Sequence, residues 1–80
     1  MLRISKQTKS TPEEIIDRAV KYFGEGGENL EEVSRDACCV TFEGGGGYVR
    51  VSIADESGQR TVDIETREFD YPAKEFLGRL

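Results

Sequence analysis

Three groupings in this 80-residue chain bring side chains capable of chemistry close together: the adjacent thiols Cys38 and Cys39, the glycine run Gly44–Gly47, and the carboxylates Asp63 and Glu65. A thiol pair suggests redox chemistry or a metal. A metal needs several ligands converging on one point, and the chain has no histidine and no third cysteine. Adjacent side chains on a strand point to opposite faces. Cys38 is therefore expected to lie buried behind Ile53, with Cys39 on the wet face. A buried thiol mostly acts as a small hydrophobe. Thiol redox or metal binding through Cys38 and Cys39 stands as an alternative reading.

The glycine run suggests a phosphate cradle. Such cradles sit between a strand and a helix and continue into Lys-Ser/Thr. Here Tyr48-Val49-Arg50 follows, the start of another strand, and a hairpin that needs positive φ accounts for the glycines without a ligand. Asp63 and Glu65 lie two residues apart on one strand face, as catalytic carboxylates can. That face is expected to be open, with nothing to desolvate an acid and raise its pKa. The chain also lacks histidine, the commonest acid–base group at neutral pH. No Ser/His/Asp or Cys/His set exists, so the sequence predicts no catalytic residues and no cofactor. It predicts a protein that is not an enzyme.

The elements that position these groups are legible from alternation. Cys38, Val40 and Phe42 alternate with polar residues, as do Val49, Val51 and Ile53 after the glycines. Val62, Ile64 and Thr66 do so after the turn Glu56-Ser57-Gly58-Gln59. Folding about the two turns sets Phe42 opposite Val49, Val40 opposite Val51 and Cys38 opposite Ile53. Ile53 then meets Val62, Val51 meets Ile64 and Val49 meets Thr66. Both hairpins bury the same residues, the consistency expected of a real sheet. The wet face then carries Cys39, Thr41, Tyr48, Arg50, Ser52, Asp63, Glu65 and Arg67. Arg50 falls opposite Glu65, where an ion pair is expected, and Tyr48 opposite Arg67, where a cation–π contact is expected.

Leu2 and Ile4 flank Arg3 with period two, predicting a short strand over residues 2–7. Thr11-Pro12-Glu13-Glu14 opens a helix: Thr11 caps, Pro12 sits at N1 and Glu14 completes a capping box. Ile16, Ala19, Val20 and Phe23 then recur at helical spacing, with Ile15 widening the stripe. Glu14/Arg18 and Asp17/Lys21 are favourable i,i+4 pairs, and Gly24 ends the helix. Residues 28–36 read either as one helical turn or as a short strand, the extended form being preferred because a helix there has little to bury. Asp70 is expected to cap a last helix, with Pro72 in its first turn and Ala73, Phe76, Leu77 and Leu80 on its apolar side. The result is a two-layer α+β domain: an antiparallel sheet of 4–5 strands with two helices on one face, in the order β-α-β(3-4)-α.

This order, with a helix opening on Thr11-Pro12-Glu13-Glu14 and a terminal amphipathic helix, resembles a reduced helix-grip or TATA-binding-protein-like topology. START-like lipid carriers belong to that group. The resemblance implies a small apolar ligand and carries over no functional residue.

Composition narrows the function classes. Net charge is −5, which weighs against nucleic acid. Mean hydropathy is −0.55, and no apolar run exceeds the four residues Ala37–Val40. No membrane span or signal peptide is therefore expected. Two adjacent cysteines in an otherwise unstapled chain suggest a reducing, cytoplasmic compartment. The reading that remains is a non-enzymatic protein-interaction module. A homodimer is one of its forms, and Thr41, Tyr48, Arg50, Asp63, Glu65 and Arg67 are its face, since Tyr and Arg favour interfaces. A small apolar-ligand binder is the alternative from the resemblance.

Overall fold

Two tight turns fix the register of most of the sheet. The computed structural model describes residues 1–80 and runs β1 (Leu2–Thr8), α1 (Pro12–Phe23), β2 (Glu31–Arg35), β3 (Cys39–Gly44), β4 (Gly47–Glu56), β5 (Gln59–Arg67), α2 (Asp70–Gly78). Gly45 and Gly46 have φ of +56° and +83°, the pair of positive values that a two-residue type I′ hairpin demands. Ser57 and Gly58, at +52° and +79°, do the same between the facing residues Glu56 and Gln59. The run of four glycines is now accounted for residue by residue. Gly45 and Gly46 make the turn, and Gly44 faces Gly47 to close it. A Cβ on Gly47 would lie 2.1 Å from the Arg67 carbonyl oxygen, and one on Gly44 would lie 2.9 Å from Leu30 Cδ2.

The expected cross-strand pairs form except Cys38 opposite Ile53, which lies beyond the paired residues of β3. Phe42 faces Val49 and Val40 faces Val51, while Val49, Val51 and Ile53 face Thr66, Ile64 and Val62. Ile53 N–H also reaches Cys38 O at 2.8 Å. Residues 31–35 are strand rather than helical turn, pairing with β3 through a bulge between Glu32 and Ser34. The five strands are all antiparallel and ordered β1-β5-β4-β3-β2. The first strand thus closes the sheet against the last, and α1 carries the chain across to the far edge. No helix is long and apolar enough to cross a membrane.

Both helices cover one face. Ile15, Ala19 and Phe23 of α1 and Ala73, Phe76 and Leu77 of α2 join Leu30, Val40, Phe42, Val49, Val51, Val62 and Ile64 in one core. Ile15 is fully enclosed, whereas Val20, Ile53 and Leu80 are only partly buried at its margin. Phe23 is the hub, with ring centroids 5.1 Å from Tyr22, 5.2 Å from Phe76 and 5.8 Å from Phe42. Thr66 is the one buried polar residue, and its hydroxyl donates to Tyr48 O at 2.7 Å. That bond removes the cost of burying the hydroxyl unpaired.

The helix ends are secured differently. At α1 the capping box forms as expected: Thr11 Oγ1 accepts from Glu14 N–H at 3.1 Å, and the Glu14 carboxylate accepts from Thr11 N–H at 3.2 Å. The Thr11 N–H and the Thr11 hydroxyl, which donates to the same carboxylate at 3.1 Å, hold the Glu14 carboxyl below its ordinary pKa, with the Arg18 charge adding to them. The Glu14/Arg18 and Asp17/Lys21 ion pairs do not form, and Arg18 instead reaches Arg79 O at 3.3 Å. Asp70 does not cap α2. Phe69 holds the cap position with no side-chain cap bond, and Asp70 is the first helical residue. With no basic residue in its own last turn, α2 has its C-terminal carbonyls met by Lys6 from β1. Lys6 Nζ lies 3.3 Å from Leu77 O and 3.4 Å from Leu80 O, a favourable cation at the negative end of a helix.

Thr11→Ala should cost about 1 kcal/mol, the usual worth of a lost N-cap. Because the Glu14 pKa is lowered by folding, its contribution is present above the ordinary carboxylate pKa and is lost as pH falls through the folded value. The variant should therefore lose stability less steeply than the parent on acidification, as read by urea unfolding at a series of pH values. Parallel curves would show that the Thr11 hydroxyl does not hold Glu14.

Candidate functional site

With both helices on one side, the other side of the sheet is bare. Register places Arg3, Glu65, Arg50 and Thr41 in one row across β1, β5, β4 and β3. Ser5, Asp63, Ser52 and Cys39 form the next row, and Arg67, Tyr48 and Glu43 lie on the other side of the first. Every residue expected on the wet face lies there because the alternation of three paired strands leaves it no other place.

The side chains choose partners that register alone does not set. Glu65 takes no ion pair from Arg50. Its Oε2 accepts the Tyr48 hydroxyl at 2.7 Å, and that bond pushes the Tyr48 phenol pKa up. The three ion pairs of the chain are Arg35–Glu32, Arg60–Asp55 and Arg79–Glu75, so Arg3, Arg50 and Arg67 are in none. Nor does Arg67 stack on Tyr48: the cation–π contact is Arg79 over Tyr22, 5.6 Å from the centroid. A phenol in reach of a carboxylate makes a short charge-assisted bond, and this one leaves the arginines facing solvent.

Asp63 and Glu65 are half-exposed, and Glu65 is already engaged by Tyr48. The glycine turn offers no anion cradle either. Glu31 and Glu43 line the groove beside it together with Gly44, Gly46, Gly47, Tyr48 and Arg67, and two carboxylates repel a phosphate.

The thiol expectation needs correction. Cys38 is exposed rather than buried behind Ile53, and it is joined to Cys39 in a disulfide between neighbours. The reason is local. Asp36 Oδ1 accepts both Cys38 N–H at 2.9 Å and Cys39 N–H at 3.0 Å, and Asp36 N–H donates to Cys39 O at 2.9 Å. Residues 36–39 are thereby a closed turn, so the strand rule of opposed side chains does not reach Cys38. Asp36 carried the signal: an Asx residue just before a strand, here three residues ahead of Cys39, caps the backbone amides that follow it.

Sequence reasoning also missed Tyr22 and Arg79, which with Arg18, Lys21, Phe76 and Leu80 line an open groove of about 280 Å³ between α1 and α2. Tyr22 and Phe76 extend the aromatic cluster outward, their centroids 5.6 Å apart. The interior itself is filled by Phe23, Phe42 and Phe76. No known protein family matches the chain, and no curated protein is significantly similar to it.

Proposed function

We propose that this domain is a non-enzymatic protein-interaction module whose partner is a second copy of itself. Docking would run through the open sheet face, with Thr41, Tyr48, Arg50, Asp63, Glu65 and Arg67 at its centre. One observation carries the reading: five strands present a bare face on which three arginines lack ion-pair partners beside acids of the same face. A two-fold axis through such a patch brings the arginines of one copy to the carboxylates of the other, since an isologous interface is self-complementary. A separate acidic partner, or a nucleic acid, is opposed by the net charge of −5. Tyr48, anchored by Glu65, supplies a rigid aromatic of the kind enriched at interfaces.

This reading requires no cofactor. It takes the cytoplasm as the setting, because the only disulfide joins neighbours and staples no loop, unlike the long-range bridges of small secreted domains. The alternative of a small apolar ligand, from the START-like resemblance, has less in its favour. Phe23, Phe42 and Phe76 fill the space between helices and sheet. The groove of about 280 Å³ between the helices falls below the roughly 300–1,000 Å³ of most ligand pockets.

Sedimentation equilibrium over a wide concentration range tests the proposal. The parent should dimerise reversibly, and Arg50→Glu, which puts a second acid opposite Glu65 in its row, should weaken association at least tenfold while the chain stays folded. A parent that stays monomeric throughout, or an Arg50→Glu variant that associates equally well, removes the self-docking face.

A further inference from the structure

The turn that joins β2 to β3 does more than reverse the chain. The Asp36 carboxylate accepts from both cysteine amides, in a turn where the sulfurs of Cys38 and Cys39 are joined to each other. A carboxylate oxygen of Asp36 and the two sulfurs all lie within 4.8 Å of one another. Cys38 and Asp36 are exposed and Cys39 is half-exposed, so an ion reaches the cluster from solvent without any movement of the core.

We propose that Asp36, Cys38 and Cys39, once the disulfide is reduced, form an open site for a thiophilic divalent cation of the zinc class. The disulfide is the closed state of that site. Opening consumes two equivalents of a low-molecular-weight thiol: the Cys38–Cys39 bond breaks, both sulfurs gain a proton, and the two small thiols leave as their own disulfide. Binding then displaces the two thiol protons, giving two thiolates and one carboxylate around the ion. Water completes the fourth tetrahedral position, as in sites with three protein ligands.

Two sulfurs at about 2.3 Å from a tetrahedral zinc stand roughly 3.8 Å apart, so the joined sulfurs of Cys38 and Cys39 must separate on reduction before they can share the ion. Soft thiolates select a zinc-class ion over magnesium or calcium, which prefer oxygen. Asp36 has Oδ1 engaged by both amides, so the same residue shapes the turn and neutralises the ion. This site is separate from the centre of the proposed docking face and does not depend on it.

The test uses the full chain reduced with a phosphine, which does not compete for metal as a thiol would. The chain is then titrated with zinc against a chromophoric chelator, and with cadmium to read the ultraviolet thiolate-to-metal band. One ion per chain is expected, bound at least tenfold more tightly than by a Cys38→Ser/Cys39→Ser variant, with a cadmium band that this variant lacks. Asp36→Asn keeps the turn's acceptor but removes the charge. It should weaken binding about tenfold while keeping the band, since a carboxylate attracts a divalent cation appreciably even in water. Equal affinity in the double serine variant, or no thiolate band, overturns the site, and unchanged affinity in Asp36→Asn overturns the three-ligand assignment. Equal uptake by the oxidised chain overturns the gating.

Discussion

Phe23→Ala is expected to cost about 3–5 kcal/mol of folding stability, the range for removing a buried aromatic ring. Phe23 is fully enclosed and is the only side chain whose ring packs against α2 through Phe76 and against the sheet through Phe42 while belonging to α1. Its loss opens a void at the junction of all three, where none of them can collapse without leaving the others. A domain of this length has about 4–12 kcal/mol in total, so the variant should be near the edge of folding. Each kcal/mol corresponds to roughly 4–8 °C in a domain of this size, which places the expected fall in melting temperature at about 12–40 °C. Thermal unfolding followed by far-ultraviolet circular dichroism measures it. A fall no larger than that of Thr11→Ala would mean that the aromatic cluster is not the hub of the core.

Gly47→Ala should be the most damaging substitution in the glycine run. The new methyl would sit 2.1 Å from the Arg67 carbonyl oxygen and 2.7 Å from Glu68 Cβ. The obstacle is backbone of the neighbouring strand, which cannot swing aside as a side chain can. Accommodation requires β4 and β5 to part at the end that holds Tyr48, at a cost of about 1–3 kcal/mol or more. Gly46→Ala meets nothing within 4 Å, and its only penalty is the positive φ of +83°, worth roughly 1–2 kcal/mol. The expected order is Gly47 worse than Gly46. The Gly47 variant should also bring the Tyr48 phenol back toward its ordinary pKa, as the strand carrying it is pushed away from Glu65. Both effects are read together by denaturant unfolding and an alkaline phenolate titration. Equal losses at the two positions, with an unmoved Tyr48, would contradict the close approach of Gly47 to β5.

The sheet was legible because its determinants are local and redundant. Alternation with period two gave each strand a face, and turn residues fixed each register, so Val51 could be set against both Val40 and Ile64 from the sequence. The capping box at Thr11 was equally local. What failed depended on competition or distance. Register brought Arg50 to Glu65 but could not say that the Tyr48 hydroxyl would take the carboxylate. Lys6 answers carbonyls of α2 some 71 residues away, and no pattern near Lys6 encodes that. Cys38 was misplaced because the strand was extended one residue too far, into a turn that Asp36 had already closed. On the open sheet face, then, residue positions were readable and pairwise partners were not, while at the cysteine turn the position itself was misread.

The pairing of β1 with β5 has a consequence for how the chain is made. The strand at this edge of the sheet is made well before its partner, whose residues run from Thr66, opposite Leu2, to Arg60, opposite Thr8. At synthesis rates of about 5–20 residues per second, Leu2 and Ile4 wait roughly 3–13 s before the strand they cover exists. During that interval β1 is a nascent segment with nothing to bury against. Arg3, Lys6 and Lys9 are spaced through and just beyond it with no acid among the first ten residues, so like charges keep neighbouring nascent chains apart. Lys6 then changes employment on completion, from repelling other chains to holding the end of α2.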